Sequence, residues 1–185
     1  MKPAIIVVDM LKDNFKKEAN LSITSEAVRI IPNIKKLLDH GRRRAWPIIF
    51  ACDSFLEEDF IFGGRMKPHS IRGTKGAEVI HDLNPLTREM ILEKRRFSAF
   101  FKTDLDQTLR TLKVDTIVLA GVSTHVCVLM TAMDALSHDF QSIIIEDCCA
   151  AHKQEVHRAA LDLYRNFALH PLLRILHLED FLKEC

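Results

Sequence analysis

Markers of several common protein classes are scarce in this sequence. Only 6 of its 185 residues are glycine, and none falls in a G-x-G-x-x-G or G-x-x-x-x-G-K-[ST] pattern, so a nucleotide phosphate has no evident cradle. Net charge is nearly absent: 26 basic and 25 acidic residues leave +1. Clustered bases are confined to short runs such as Arg42-Arg43-Arg44, too little for an electrostatic footprint for nucleic acid or an anionic membrane. The 5 cysteines are odd in number and show no C-x-x-C spacing, which argues against a disulfide framework and reads as reduced thiols in a cytoplasm. Long apolar runs are missing as well. The opening MKPAIIVVDMLKD is closed by Asp9 before a signal peptide or membrane span could be complete. The expectation is a soluble, cytoplasmic, single-domain protein over 1–185, long enough to bury about 70% of its unfolded surface.

Against this background, short β-branched runs stand out at 4–10, 45–53, 90–94, 116–122 and 142–147, with a sixth at 172–178. Between most of them, at 24–40, 103–113, 123–139 and 153–167, apolar residues recur at helical spacing. The alternation predicts a doubly wound α/β fold, with a six-stranded, mostly parallel sheet, helices on both faces and a short helix closing the chain. Residues 54–75 break the rhythm. That stretch is too long and mixed for an ordinary connector and carries Gly63-Gly64, a lid hinge or an ordinary turn, so it reads as a cover for a site or as disorder.

Ligands of open parallel sheets bind at the carboxyl ends of the strands, near the point where strand order reverses. Those ends carry Asp9, Asp53, Glu93-Lys94 and Gly121-Val122, with Cys127 on the helix that follows. Taken singly, a strand-end aspartate caps a turn, a terminal lysine is solvated and a free cysteine packs as a small hydrophobe. Together they bring an acid, an amine and a thiol to one edge. With Ser123 or Thr124 as helix cap, Cys127 would lie in the first turn, where unpaired amides favour a thiolate. Asp9 could move the thiol proton and Lys94 add positive charge, while the backbone of the Ser123–Cys127 turn could hold an oxyanion.

Four ordered blocks, IIVVDM, RGTKGAEV, KRRFSAFFKTDL and GVSTHVCVLMTAMDA, resemble the isochorismatase-like cysteine hydrolases, the superfamily that includes nicotinamidase and related amidohydrolases. The resemblance implies an Asp9-Lys94-Cys127 triad, a cis peptide between Val122 and Ser123, and an oxyanion hole from the Ser123 and Cys127 amides. It also implies a divalent metal such as zinc, held in nicotinamidases by an Asp-x-His and a further histidine. Here the corresponding residues are Asp53, Phe55 and His69. Two ligands remain and the middle one is an apolar ring, which cannot bind zinc. Glu57, Glu58 or Asp59 could substitute. The alternative is that no metal is required, with Asp53 capping a turn and His69 touching the loop or the substrate. The usual Asp-x-Gln-x-Asp-Phe opening is altered too: Leu11 stands at the glutamine and Phe15 sits one place late.

Six phenylalanines, Phe15, Phe55, Phe60, Phe62, Phe97 and Phe100, border the expected site; Phe15 and Phe97, with Val122, are the expected substrate contacts. Leu129, Met130, Met133 and Leu136, widened by Val126, Val128, Ala132 and Ala135, leave the nucleophile helix apolar on most sides, which suggests a homo-oligomer. His125 should point away from Cys127, because helical positions two apart do not share a face, so no Cys-His dyad is expected. Cys148-Cys149 reads as buried packing rather than a redox pair. The function that follows is cleavage of a small carboxamide or related C–N bond through a thioester on Cys127. The alternatives are vinyl-ether cleavage of the isochorismatase type, or a non-catalytic homologue acting as an interaction protein.

Overall fold

The computed structural model describes residues 1–16, 23–166 and 168–185. The apolar runs form strands β1 (Pro3–Val8), β2 (Ile48–Asp53), β3 (Met90–Lys94), β4 (Thr116–Val122), β5 (Gln141–Ala150) and β6 (Leu173–Leu176). They pair in the order β3-β2-β1-β4-β5-β6, and every pair is parallel. The helices are α1 (Thr24–Arg43), α2 (Leu105–Thr111), α3 (Leu129–Ser137), α4 (Gln154–Arg165) and α5 (Leu178–Glu184).

Strands β1, β2 and β4 are buried along their whole length, which is why each reads as a continuous apolar run rather than an alternating one. Successive side chains still point to opposite faces. Ala4, Ile6 and Val8 meet Leu109, Ala132 and Leu161 from α2, α3 and α4. Ile5 and Val7 meet Ile30, Ile34 and Leu37 of α1 and Phe181 of α5. Two apolar layers therefore clamp one sheet. Among the described residues no helix is long and apolar enough to cross a membrane.

Several boundaries differ from the sequence expectation for identifiable reasons. β1 ends at Val8 because Asp9 turns out of the strand at φ 50°. β5 continues to Ala150, since its pairing with β4 resumes beyond a register shift between Leu119 and Gly121. The helix expected at 123–139 begins instead with a π-helical turn, Thr124–Val128, followed by α3. α4 stops at Arg165; the last residue of the expected helix, 167, lies outside the described residues.

The crossover from β2 to β3, residues 54–89, holds no α-helix and is built from short 3₁₀ turns at Phe60–Gly63, Lys75–Ala77 and His81–Leu83. It is pinned in place. Phe55 pairs with Ile71 and Leu11 with Val79, the Ser70 N–H donates to Asp13 Oδ2 at 2.7 Å, and buried Asp59 accepts from both Arg95 and Arg96. This segment forms a wall over the carboxyl ends of β1 and β2. Strand order reverses between β1 and β4, so the crevice characteristic of doubly wound sheets opens at their ends.

Candidate active site

Parallel register sets the floor of the crevice. Asp53 pairs with Lys94 across β2 and β3, and the Asp9 N–H donates to the Ala51 carbonyl at 2.9 Å. Three adjacent strands thus end at one level, in the row Asp9, Asp53, Lys94. The Lys94 side chain is fully buried. Its ammonium donates to Asp9 Oδ2 at 2.8 Å, Asp53 Oδ1 at 2.5 Å and the Arg96 carbonyl at 3.3 Å, which accounts for all three of its donors. The other oxygen of Asp9 accepts the Asp53 N–H at 2.8 Å. Asn14 Nδ2 donates to the Asp9 carbonyl at 2.8 Å and steadies the turn.

Packing a buried cation between two buried acids perturbs Asp53 and the cation itself. Burial and the neighbouring Asp9 push Asp53 up to about 7, against the pull of Lys94. Lys94 is raised well above its ordinary value: burial opposes this, but the negative groups around it outweigh burial.

The thiol arrives from β4. Gly121, at φ 113°, lies so close to β1 that a Cβ would sit 2.1 Å from the Val8 carbonyl oxygen; only glycine allows the two strand ends to meet there. The Val122–Ser123 peptide is cis. The Ser123 carbonyl then accepts the Val126 N–H at 3.1 Å and the Val128 N–H at 3.2 Å, closing the π-helical turn that carries Cys127. Neither Ser123 nor Thr124 caps the helix as expected from the sequence: Ser123 makes no side-chain cap bond, and the Thr124 hydroxyl pairs with His157 Nδ1 at 2.8 Å. The Cys127 sulfur and the carboxylate oxygens of Asp9 and Asp53 all lie within 4.8 Å of one another.

The surroundings of the thiol disfavour its ionised form. Burial first, then Asp9 and Asp53, raise it well above the ordinary cysteine range, with Lys94 pulling the other way. Burial thus works against the thiolate that a helix N-terminus favours. It favours the neutral thiol beside Asp9.

A cavity of about 320 Å³ opens above the sulfur. Asp9, Asp53, Cys127, Ser123, Val122, Phe97 and His69 all line it. Phe15 does not: it packs against the α1 side of the sheet, and its neighbour Asn14 takes the place at the cavity. Phe60 is 90% exposed and Phe100 stacks on His138 at 5.0 Å, so both lie away from the site. Residues the sequence reading did not place at the site also line the cavity: Ile23, Met66, Val126, His152 and, contrary to its expected direction, His125. All five cysteines are free. Cys148 and Cys149 are buried in β5, and burial pushes both thiols up.

The residues present do not fit a divalent metal at the position the resemblance implies. Phe55 offers no donor, and it packs with Phe62 and His69 in a three-ring cluster with centroids 5.3–5.9 Å apart. His69 Nδ1 bonds the Lys67 carbonyl at 2.9 Å, Asp53 is engaged by Lys94, Asp59 by arginines, and Glu57 and Glu58 are exposed. Among the described residues the only set with metal-like spacing is Asp9, Asp53 and Cys127, and there the Lys94 ammonium already bridges the two carboxylates.

Comparison with known proteins agrees with this geometry. Residues 3–173 match the family described as isochorismatase domain. The N-carbamoylsarcosine amidase of Thermoplasma acidophilum superposes with a TM-score of 0.83 at 30% identity, covering 97% of this chain and 98% of that one. A pyrazinamidase of Pyrococcus horikoshii, solved in complex with zinc, gives 0.81 at 26% identity over 96% of this chain and 99% of that one. A probable inactive nicotinamidase of Arabidopsis thaliana is 31% identical over 84% of each chain. On the match across nearly its whole length, with a six-stranded parallel sheet and an acid, an amine and a thiol at its switch point, the chain belongs to the isochorismatase family of hydrolases.

Proposed function

We propose that this protein is a cysteine hydrolase that cleaves the amide-type C–N bond of a small molecule through a thioester on Cys127. The observation that carries the reading is the convergence of Asp9, Lys94 and Cys127 on one small cavity. An amidase and a pyrazinamidase among its structural relatives support an amide as the target.

In the proposed cycle Cys127 Sγ attacks the carbonyl carbon while Asp9 takes the thiol proton. This arrangement suits a sulfur that rests as a thiol, since the base lies within 4.8 Å of it. The carbonyl oxygen becomes an oxyanion held by the Ser123 and Cys127 amides. Asp9 then returns its proton to the nitrogen, the C–N bond breaks, and ammonia or an amine leaves. Water, deprotonated by Asp9, attacks the thioester; the acid departs and the sulfur regains its proton. Lys94 offsets the negative charge that Asp9 and the sulfur carry in turn. Phe97 and Val122 form the walls on which a planar substrate lies, and Asp53 positions Lys94.

No metal step is required by this cycle. We also propose that the chain works as a homo-oligomer, with the exposed Met130 and Phe101 beside α3 covered by a second copy. The test is ammonia release on a panel of small amides by the wild type and by Cys127→Ala, Asp9→Asn and Lys94→Ala. Loss in all three, with a Cys127-linked acyl adduct seen by mass spectrometry after rapid quench, supports the route. Turnover retained in Cys127→Ala refutes it.

A further inference from the structure

Thr131 takes no part in the proposed cycle, yet it joins the two halves of the site. It lies on α3 and is completely buried, as is Ala99. Its hydroxyl donates to the Cys127 carbonyl at 2.7 Å and accepts the Ala99 N–H at 3.0 Å. A threonine that bonds the carbonyl four residues back is ordinary helix chemistry. Ser137 and Thr111 make the same local bond, to Met133 and Gln107, and both are at the surface. Thr131 differs in its second bond, which crosses to a segment 32 residues away in the chain.

That segment matters for what it carries. Residues 95–104 link β3 to α2 without a helix or strand of their own, so no backbone ladder fixes their path. Within them the Arg96 carbonyl accepts from the Lys94 ammonium at 3.3 Å, and Phe97 lines the cavity. Ala99 is held from both sides, its N–H by Thr131 and its carbonyl by the Thr103 hydroxyl. Lys94 ends β3 and Cys127 follows β4, and β2 and β1 stand between those strands in the sheet. The Thr131 hydroxyl bridges that distance, tying the turn that presents the sulfur to the segment that holds the ammonium and the cavity wall. Without it the buried Ala99 N–H loses its acceptor, which is costly, and the chain can relieve that cost by letting the turn and the segment part.

Resting on the amide-hydrolase reading, we propose that Thr131 is a positioning residue, whose hydroxyl sets the distance between the Cys127 turn and the segment from Lys94 to Phe97 so that sulfur, ammonium and substrate wall keep one geometry. Cys127 is 8% exposed. With the clamp released the turn opens, so the sulfur becomes easier to reach from solvent and worse placed to attack a bound carbonyl. A general loosening of the fold does not single out this thiol: it exposes Cys52, Cys148 and Cys149, which are buried too.

Thr131→Val removes both bonds at nearly constant volume, Thr131→Ser keeps the hydroxyl without the methyl, and Ser137→Ala removes a helix bond of the same local kind. Thr131→Ala stands in, with the same expectations, if the valine variant does not fold. Labelling by iodoacetamide, followed for each cysteine by mass spectrometry, should run at least about fivefold faster at Cys127 in Thr131→Val, with Cys52, Cys148 and Cys149 unchanged. Ammonia release on the amides that the wild type turns over should show kcat lower by about 100-fold and KM within about threefold. Thr131→Ser should restore both readouts, and Ser137→Ala should leave both at the wild-type level. Unchanged labelling of Cys127 in Thr131→Val, faster labelling of all four buried thiols together, or a serine variant that behaves like the valine variant would overturn the proposal. The hydrolase reading is scored separately: selective labelling with no ammonia release by the wild type removes that reading and leaves the clamp, whereas ammonia release that Thr131→Val retains in full removes the clamp and leaves the hydrolase.

Discussion

Replacing Lys94 by methionine deletes the ammonium and keeps most of the side-chain volume, leaving Asp9 and Asp53 face to face. Breaking a buried ion pair by removing one partner costs about 3–5 kcal/mol. The cost should depend on pH in a direction the site dictates, because two carboxylates sharing a site ionise together only with difficulty. The wild type already binds a proton at Asp53 below about 7. Without the ammonium the pair should hold that proton to higher pH, so the variant's penalty grows above the wild-type transition. One bound proton is worth about 1.4 kcal/mol per pH unit, so the penalty at about pH 8 should exceed that near pH 5 by at least about 1.4 kcal/mol. With a urea m-value of about 2 kcal/mol per molar, the midpoint should fall by about 1.5–2.5 M at the higher pH and by about 0.7 M less at the lower. Paired urea titrations of both proteins at the two pH values measure this. An equal penalty at both, or a larger one in acid, refutes the view that Lys94 is the counter-ion of two buried acids.

Other consequences can be checked directly. Asp53 holds its proton more tightly folded than unfolded, so the wild type loses stability as pH rises from about 4 to 7; Asp53→Asn should gain on it across that window by up to about 1.4 kcal/mol per unit, and parallel melting curves would contradict this. In Gly121→Ala the new methyl meets backbone rather than a yielding side chain, so a loss of about 3 kcal/mol or more is expected, read by denaturant unfolding together with ammonia release. Prolonged treatment with a chelator should leave turnover intact and elemental analysis should find less than one metal per chain; loss of turnover restored by zinc would reject the metal-free reading. Light scattering should give a mass above that of one chain, and a monomer would remove the proposed second copy.

Much of this was legible in the sequence because parallel strands buried on both faces announce themselves as β-branched runs, and because such sheets gather chemistry at their carboxyl ends. Asp9, Asp53, Lys94 and Cys127 were reachable on that rule alone. The double engagement of Lys94 was not, since it depends on β2 and β3 ending in register, and register is set by long-range pairing. His125 was misdirected by the geometry assumed for it. On an α-helix, residues two apart diverge, but in the wider π-helical turn residues 125 and 127 border the same space. Phe15 was misplaced by one residue: the turn that follows Asp9 hands the cavity to Asn14 instead. The length of β5 rested on a pairing that resumes past an irregularity, which no local pattern marks.

The crossover from β2 to β3 separates two tasks that many enzymes combine. Strand ends locked in the sheet supply the floor, while Phe55, Met66 and His69 of the crossover supply part of the roof and are tied down by contacts such as those of Asp59 and Asp13 that lie outside the reacting groups. Evolution, or a library confined to the stretch between Phe55 and His69, can therefore reshape the roof of the cavity while Asp9, Asp53 and Lys94 at its floor stay fixed.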